Sequence, residues 1–253
     1  MLEELATQAF WLGLAKIIGV NVILSGDNAV VIALAARSLP PQQQKKAVFW
    51  GAGAAVILRI ILTIFAVALL TLPWLKLIGS LLLFWIGTKL LVSEEGDDNI
   101  QASDHLLAAI KTILIADLVM SLDNVIAVAA AAGGSYTLLI LGLAISIPLV
   151  VFGATLLIKL MERFPVIITL GAGLIGWVAG EMLVADRALA GWLTSLGATY
   201  RDDRPYVAGY NLELIAAALG FVLVIALGKW LAGRHGAAAK ATETGERTET
   251  GNS

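Results

Sequence analysis

The chain has 253 residues, 59% of them apolar and 14% charged, with a mean hydropathy of +0.88 and a formal charge of −2. Soluble domains carry about 45–50% apolar and about 25% charged residues, so a soluble globular fold is excluded. No cysteine is present for disulfides, thiolate metal sites or thiol redox chemistry, two histidines are too few for an imidazole-built centre, and no basic excess exists to hold nucleic acid.

A transmembrane helix needs about 20 mostly apolar residues, and seven segments qualify. The first covers about 10–36 and contains Asn21, Ser25, Asp27 and Asn28. The start, MLEELATQAF, has Glu3 and Glu4 and no basic residue, so this span is expected to be retained rather than cleaved as a signal peptide. The second, about 47–70, holds Arg59 midway, and the third, 73–92, opens at Pro73 and carries Lys89 near its end. An acidic loop over 93–104 leads to the fourth span, about 106–131, with Asp117, Ser121, Asp123 and Asn124. The fifth covers 137–158, and the sixth, 166–185, has Glu181 near its end. Asp186, Arg187 and the RDDR run at 201–204 then read as the solvated face of a long loop. The seventh span, about 212–232, closes a membrane domain over 1–233, and the small polar residues of 234–253 predict a disordered tail.

Basic residues set the orientation. With loops alternating sides, eleven Lys and Arg fall on the side of Arg37, Lys45 and Lys46, and five on the side of Lys76 and Arg187. The richer side is predicted to be cytoplasmic, with the N-terminus outside and the C-terminus inside.

A motif recurs between the halves. NVILSGDN at 21–28 aligns with DLVMSLDN at 117–124, matching Ser25 to Ser121, Asp27 to Asp123 and Asn28 to Asn124 at an offset of 96. At an offset of 92, Pro73, Gly79 and Trp85 then lie over Pro165, Gly171 and Trp177. Chance explains aligned apolar positions but not a shared Ser-x-Asp-Asn inside a span. Repeat one covers about 10–92 and repeat two about 106–185; each holds three spans, so the second must cross in the opposite sense. The predicted fold is therefore all-α: seven transmembrane helices, as two inverted three-helix repeats plus a seventh helix, the architecture of many secondary transporters.

An ionised side chain within the bilayer is costly, by about 2.5–3.5 kcal/mol on insertion scales, and its default reading is functional. Asn21, Ser25 and Asn28 share one helical face by their spacing, as do Asp117, Ser121 and Asn124. Asp27 and Asp123 sit at the edges of those stripes, and Gly26 lets the first helix loosen and free backbone carbonyls. At 1.5 Å per residue, Asn21 and Asp117 lie about eleven residues into their spans, near midplane. Three carboxylates, three amides and two hydroxyls make an oxygen-rich cluster suited to magnesium, calcium or manganese. Ser25 and Ser121 serve equally well as interhelical hydrogen-bonding groups. Arg59, with Val151 as its counterpart, either neutralises the empty aspartate cluster or pairs with one carboxylate for packing. Glu181 is an outer accessory or gating ligand, or a solvated interfacial acid, and Lys89 snorkels to the interface.

At these residues the sequence resembles the TerC family of bacterial integral membrane proteins. The resemblance rests on NVILSGDNAVVIALA at 21–35 and DLVMSLDNVIAV at 117–128, covers about 10–232, and is nearest to short members without appended soluble domains. It implies seven spans in inverted repeats, kinship with LysE-type exporters, and, for several members, manganese(II) efflux.

The expectation is a divalent cation exporter of the bacterial cytoplasmic membrane working by alternating access. Manganese(II) is its transported ion, calcium or magnesium fit the same ligands, and no tightly bound cofactor is predicted. Asp27, Asp117 and Asp123 would bind the ion, with Asn21, Asn28 and Asn124 completing the shell. Protons are the expected exchanging ion, because no GxxxxGK(S/T) phosphate loop is present to draw on ATP. The partners are thus the lipid bilayer, the cation and protons, and a homo-oligomer is compatible with the sequence. The rival readings are a membrane scaffold and an exporter of organic solutes such as amino acids, with Arg59 holding a substrate carboxylate. An enzyme is not expected: no HExxH or GxSxG motif occurs. Clustered carboxylates repel, so replacing any of the three aspartates by asparagine is expected to leave the metal-free protein as stable as before, or more so.

Overall fold

The computed structural model describes residues 8–65, 72–92, 102–201 and 204–250, with the backbone alone at Ala9, residues 102–104, Asp123 and residues 235–250. In chain order the helices are α1 (Gln8–Leu24), α2 (Gly26–Ala36), α3 (Pro41–Ile64), α4 (Leu75–Val92), α5 (Ala102–Ala132), α6 (Tyr136–Arg163), α7 (Val166–Val184) and the short α8 (Arg187–Ser195). Strands β1 (Thr199–Arg201), β2 (Arg204–Val207) and β3 (Tyr210–Asn211) precede a last helix, α9 (Leu212–Thr250). Among the described residues six helices are long and apolar enough to span a membrane, and α1 with α2, bent by 52°, makes a seventh if the pair is one broken span. The protein is an all-α membrane protein carrying one small sheet.

Local chemistry sets the boundaries. α3 starts six residues before its expected span because Pro41 occupies the first helical position, where a missing N–H is harmless; the expected residues 66–70 lie outside the described set. Ser135 caps α6 by accepting from the Leu138 N–H at 3.3 Å. α9 runs on to Thr250, past Arg234, where the sequence reading expects disorder; an Ala-rich stretch over 237–241 lets helix propagate there.

The helices of the two halves pack reciprocally. α3 lies along α5, α1 and α2 lie along α6, and α4 meets α7. The short α2 is enclosed, with Asn28, Ala29 and every residue from Val31 to Ala36 buried, and it anchors the main core. Outside, Ile23, Phe152, Leu219 and Trp230 are exposed. An apolar exterior around a buried polar centre is what a lipid solvent requires.

α9 fits against α7 through small residues. A Cβ added at Gly180 would overlap the Ala216 carbonyl, and one at Gly176 would overlap the Gly220 carbonyl. The two backbones therefore touch, as small residues permit in membrane helices.

In the loop from 186 to 211, Arg187, Arg201 and Arg204 are exposed as expected of a solvated face, residues 202–203 lie outside the described set, and Asp186 departs from the expectation. The loop's small sheet pairs Val207 with Tyr210 across Ala208 and Gly209, both at positive φ, the mark of a tight hairpin turn. Asp186 is only 3% exposed and serves two helices. Its Oδ1 accepts from the Ala188 N–H at 2.8 Å, capping α8, and from the Trp74 N–H at 3.1 Å, while Oδ2 accepts from the Leu77 N–H at 2.9 Å at the start of α4. Burial alone would raise this carboxyl, but the N–H groups of Ala188, Leu77, Trp74 and Lys76 outweigh it and hold the acid below the usual carboxylate range. A depressed folded-state value makes the stabilisation complete above the unfolded value of about 3.9 and lost as pH falls through the folded one. Asp186→Ala should therefore lower stability by about 1–2 kcal/mol at pH 7, with the difference from the unaltered protein shrinking at pH 3 in detergent-solubilised unfolding. A difference that persists undiminished at acid pH would refute the capping role.

Candidate functional site

The polar residues of the two motifs meet where α1 breaks into α2. Ser25 has φ −108° and ψ 3°, outside helical geometry, and the break falls within an apolar span. Gly26 follows, with open space where a Cβ would lie, so here glycine serves the bend and not a close approach. In the second motif the position of Gly26 is taken by buried Leu122, and α5 runs through Ser121–Asn124 without interruption. One motif is broken and its counterpart is continuous.

The break redirects hydrogen bonds. The Asn28 N–H donates to Asp27 Oδ1 at 2.9 Å, placing a carboxylate at the start of α2, where the helix dipole favours negative charge. The Leu24 carbonyl is met instead by two side-chain amides, Asn28 Nδ2 and Asn124 Nδ2, each at a long 3.4 Å. The matching asparagines of the two motifs thus converge on one backbone oxygen. Asn28 Oδ1 and Asn21 Nδ2 are buried without a hydrogen-bond partner among the described residues. Such orphans are rare in folded proteins and call for a ligand, water or ion.

Arg59 of α3 organises the rest. Its Nη2 donates to Asp117 Oδ1 at 2.5 Å, its Nη1 to Asn21 Oδ1 at 2.7 Å and to Ser25 Oγ at 3.2 Å, and its Nε to Ser121 Oγ at 3.0 Å. Ser121 Oγ in turn donates to Asp117 Oδ2 at 3.2 Å. The Arg59 and Asp117 side chains are 4% and 6% exposed. A guanidinium presents its donors in a fixed planar fork, which suits it to several oxygens at once.

Most of the sequence-predicted residues are therefore brought close: Asn21, Ser25, Asp117, Ser121 and Arg59 join one buried network, while buried Asn28 and half-buried Asn124 meet at the Leu24 carbonyl beside it, with half-buried Asp27 next to Asn28. The Asp123 backbone lies in α5, and its side chain falls outside the described residues. Among the described residues, which leave out the Asp123 side chain, no group of three or more His, Cys, Asp or Glu could hold a metal. Asp117 is paired with Arg59, and that pairing argues against the expectation that Asp117→Asn spares the metal-free fold. Glu181 accepts from Trp177 Nε1 at 2.9 Å within its own helix, and no hydrogen bond among the described residues links it to the network. Lys89 is exposed and stacks over Trp85 at 5.1 Å.

Sequence reasoning underweighted two residues. Asp186, set before a short helix, had the composition of an N-cap. Arg59 was visible as a charge within a span, which by default requires a partner.

Residues 6–236 match the integral membrane protein TerC family. The chain is 42% identical over 188 residues to the uncharacterized membrane protein YjbE of Bacillus subtilis (strain 168), covering 74% of this chain and 86% of that protein. It is 28% identical over 194 residues to the membrane protein YceF of the same organism, covering 71% and 74%. With a UPF0053 protein of Buchnera aphidicola subsp. Schizaphis graminum it shares 30% identity over 145 residues, or 49% of this chain and 28% of that one. No solved structure matches. A match across nearly the whole chain, over a multi-span helical fold with both polar motifs inside it, makes this a member of the TerC family of integral membrane proteins.

Proposed function

We propose that the protein exports a divalent cation, manganese(II) first, across the bacterial cytoplasmic membrane. The observation that carries this reading is the broken span at Ser25. There a backbone carbonyl (Leu24), an amide oxygen without a partner among the described residues (Asn28 Oδ1) and a carboxylate (Asp27) gather within an apolar span. Oxygen ligands of these types suit magnesium, calcium and manganese. Interrupted helices are the usual place for ion sites in transporters built from inverted repeats, and the reciprocal packing of the halves supports that architecture here. The basic-residue asymmetry supports an external N-terminus and a cytoplasmic C-terminus.

Asp27, Asp123, Asn28 and Asn124 would bind the ion first, and Asp117, Asn21, Ser25 and Ser121 would join when Arg59 lets go. Proton exchange at the free aspartates supplies the counter-flux. The amino-acid alternative loses its main support, because the guanidinium it needs for a substrate carboxylate already has four oxygen acceptors. The test is manganese flux into inverted proteoliposomes with an imposed pH gradient. Asp27→Asn and Asp123→Asn should each reduce flux and manganese affinity at least about tenfold, a loss of about 1.4 kcal/mol. Unaltered manganese affinity in both variants would reject the cation site and favour a scaffold.

A further inference from the structure

We infer that Arg59 is the site's resident cation: its guanidinium sits on the oxygens an incoming divalent ion needs, and the ion completes its shell by displacing it. This rests on the cation-transport reading above and adds the competitor that gates it.

Three observations point the same way. The acceptors of the Arg59 side chain are Asn21, Ser25, Asp117 and Ser121, all of them motif positions. A residue present only to balance one carboxylate would need Asp117 alone. The acceptors also divide evenly, two from the first motif and two from the second, so the guanidinium ties α3 to the break in one half and to α5 in the other. Finally, the charge is fully withdrawn from solvent and matched one for one by Asp117. The inner part of the cluster is therefore neutral without any bound ion.

Physical chemistry supplies the consequence. Arg59 and a hard cation compete for the same oxygen lone pairs, so both cannot hold Asp117 at once. Apparent affinity for the ion is then the intrinsic affinity reduced by the fraction of molecules in which Arg59 has let go. The ion that displaces it carries twice the charge, which offsets the loss of the pair. Release also unties α3 from α1 and α5, so ion binding and separation of the halves become one event. With the guanidinium back in place, the empty site carries no excess charge into the low-dielectric interior, where an unpaired carboxylate would be costly.

The experiment uses the full chain in detergent, with manganese(II) chloride as probe, and compares the unaltered protein with Arg59→Lys, Arg59→Gln and the double variant Arg59→Gln with Asp117→Asn. Arg59→Gln should tighten manganese binding about tenfold or more, because the competitor is gone. Arg59→Lys, which keeps a tethered charge, should stay near the unaltered protein, and the double variant should lose the gain. A second measurement needs no variant: phenylglyoxal labelling of Arg59, read by peptide mass spectrometry, should rise at saturating manganese. Equal or weaker manganese binding in Arg59→Gln, or labelling unmoved by manganese, overturns the exchange and leaves the cation reading intact. Failure of every form to bind manganese, calcium or magnesium overturns both.

Discussion

Asp117→Asn should cost the fold about 3–5 kcal/mol, the usual penalty for removing one partner of a buried ion pair. The loss follows from what is left behind. The Arg59 guanidinium lies almost wholly out of solvent and would keep only the neutral oxygens of Asn21, Ser25 and Ser121. Ser121 would also lose the anion to which it donates. Replacing both partners by apolar residues, Arg59→Met with Asp117→Leu, should recover most of the stability, since matched removal of a buried pair is often close to neutral. Thermal unfolding of the three forms in detergent provides the comparison. Full stability in Asp117→Asn alone would mean that the carboxylate does not hold the guanidinium.

Gly180→Leu should be equally severe for a different reason. Overpacking typically costs about 1–3 kcal/mol and sometimes more, because side chains and backbone must shift to make room. At Gly180 the obstacle is backbone alone: the carbonyl of Ala216 and the Cα of Ala217. No rotamer change can relieve such an overlap, so α9 must lift from α7 along the seam. Even Gly180→Ala should fall in this class. Gly53→Ala is the matched control, since open space surrounds that position, and it should stabilise its helix by about 0.5–1 kcal/mol. Comparable unfolding temperatures for the Gly180 and Gly53 variants would show that α7 and α9 do not meet through backbone.

The spans were legible because lipid imposes one requirement on every exterior residue, and runs of apolar sequence record it directly. The break at Ser25 was half legible: Gly26 announced it, while Leu122 at the matching place in α5 explains why only one motif bends. The polar cluster was legible as a set but not as a circuit. Arg59 lies 58 residues from Asp117 and 38 from Asn21 along the chain. Periodicity orders residues within a helix, but which helix faces which is decided by packing. Arg59 was legible as a charge that neutralises the cluster or pairs with a carboxylate, but which oxygens it takes was not. Asp186 was misjudged as a solvated acid. Its two sets of donors come from helices on either side of it in sequence, and only folding brings Trp74 and Leu77 to it. The outer hairpin was missed because its strands are two to four residues long, too short for alternation to register.

The backbone seam between α7 and α9 has a mechanical consequence. Packed helices slide past one another by small rotamer adjustments at their interface, and where backbone meets backbone, as at Gly176 with Gly220 and Gly180 with Ala216, there is no rotamer to adjust. α7 and α9 are therefore expected to travel together as one strut. Asp186 fastens the start of α4 to the end of that strut, and the Arg37 Nη2 bond to the Leu90 carbonyl at 2.9 Å joins the far end of α4 to the end of α2. On the cation-export reading proposed above, motion is then expected at the hinge at Ser25 and in α3, α5 and α6 around it, and the ion path would open on the flank of the molecule that has no seam.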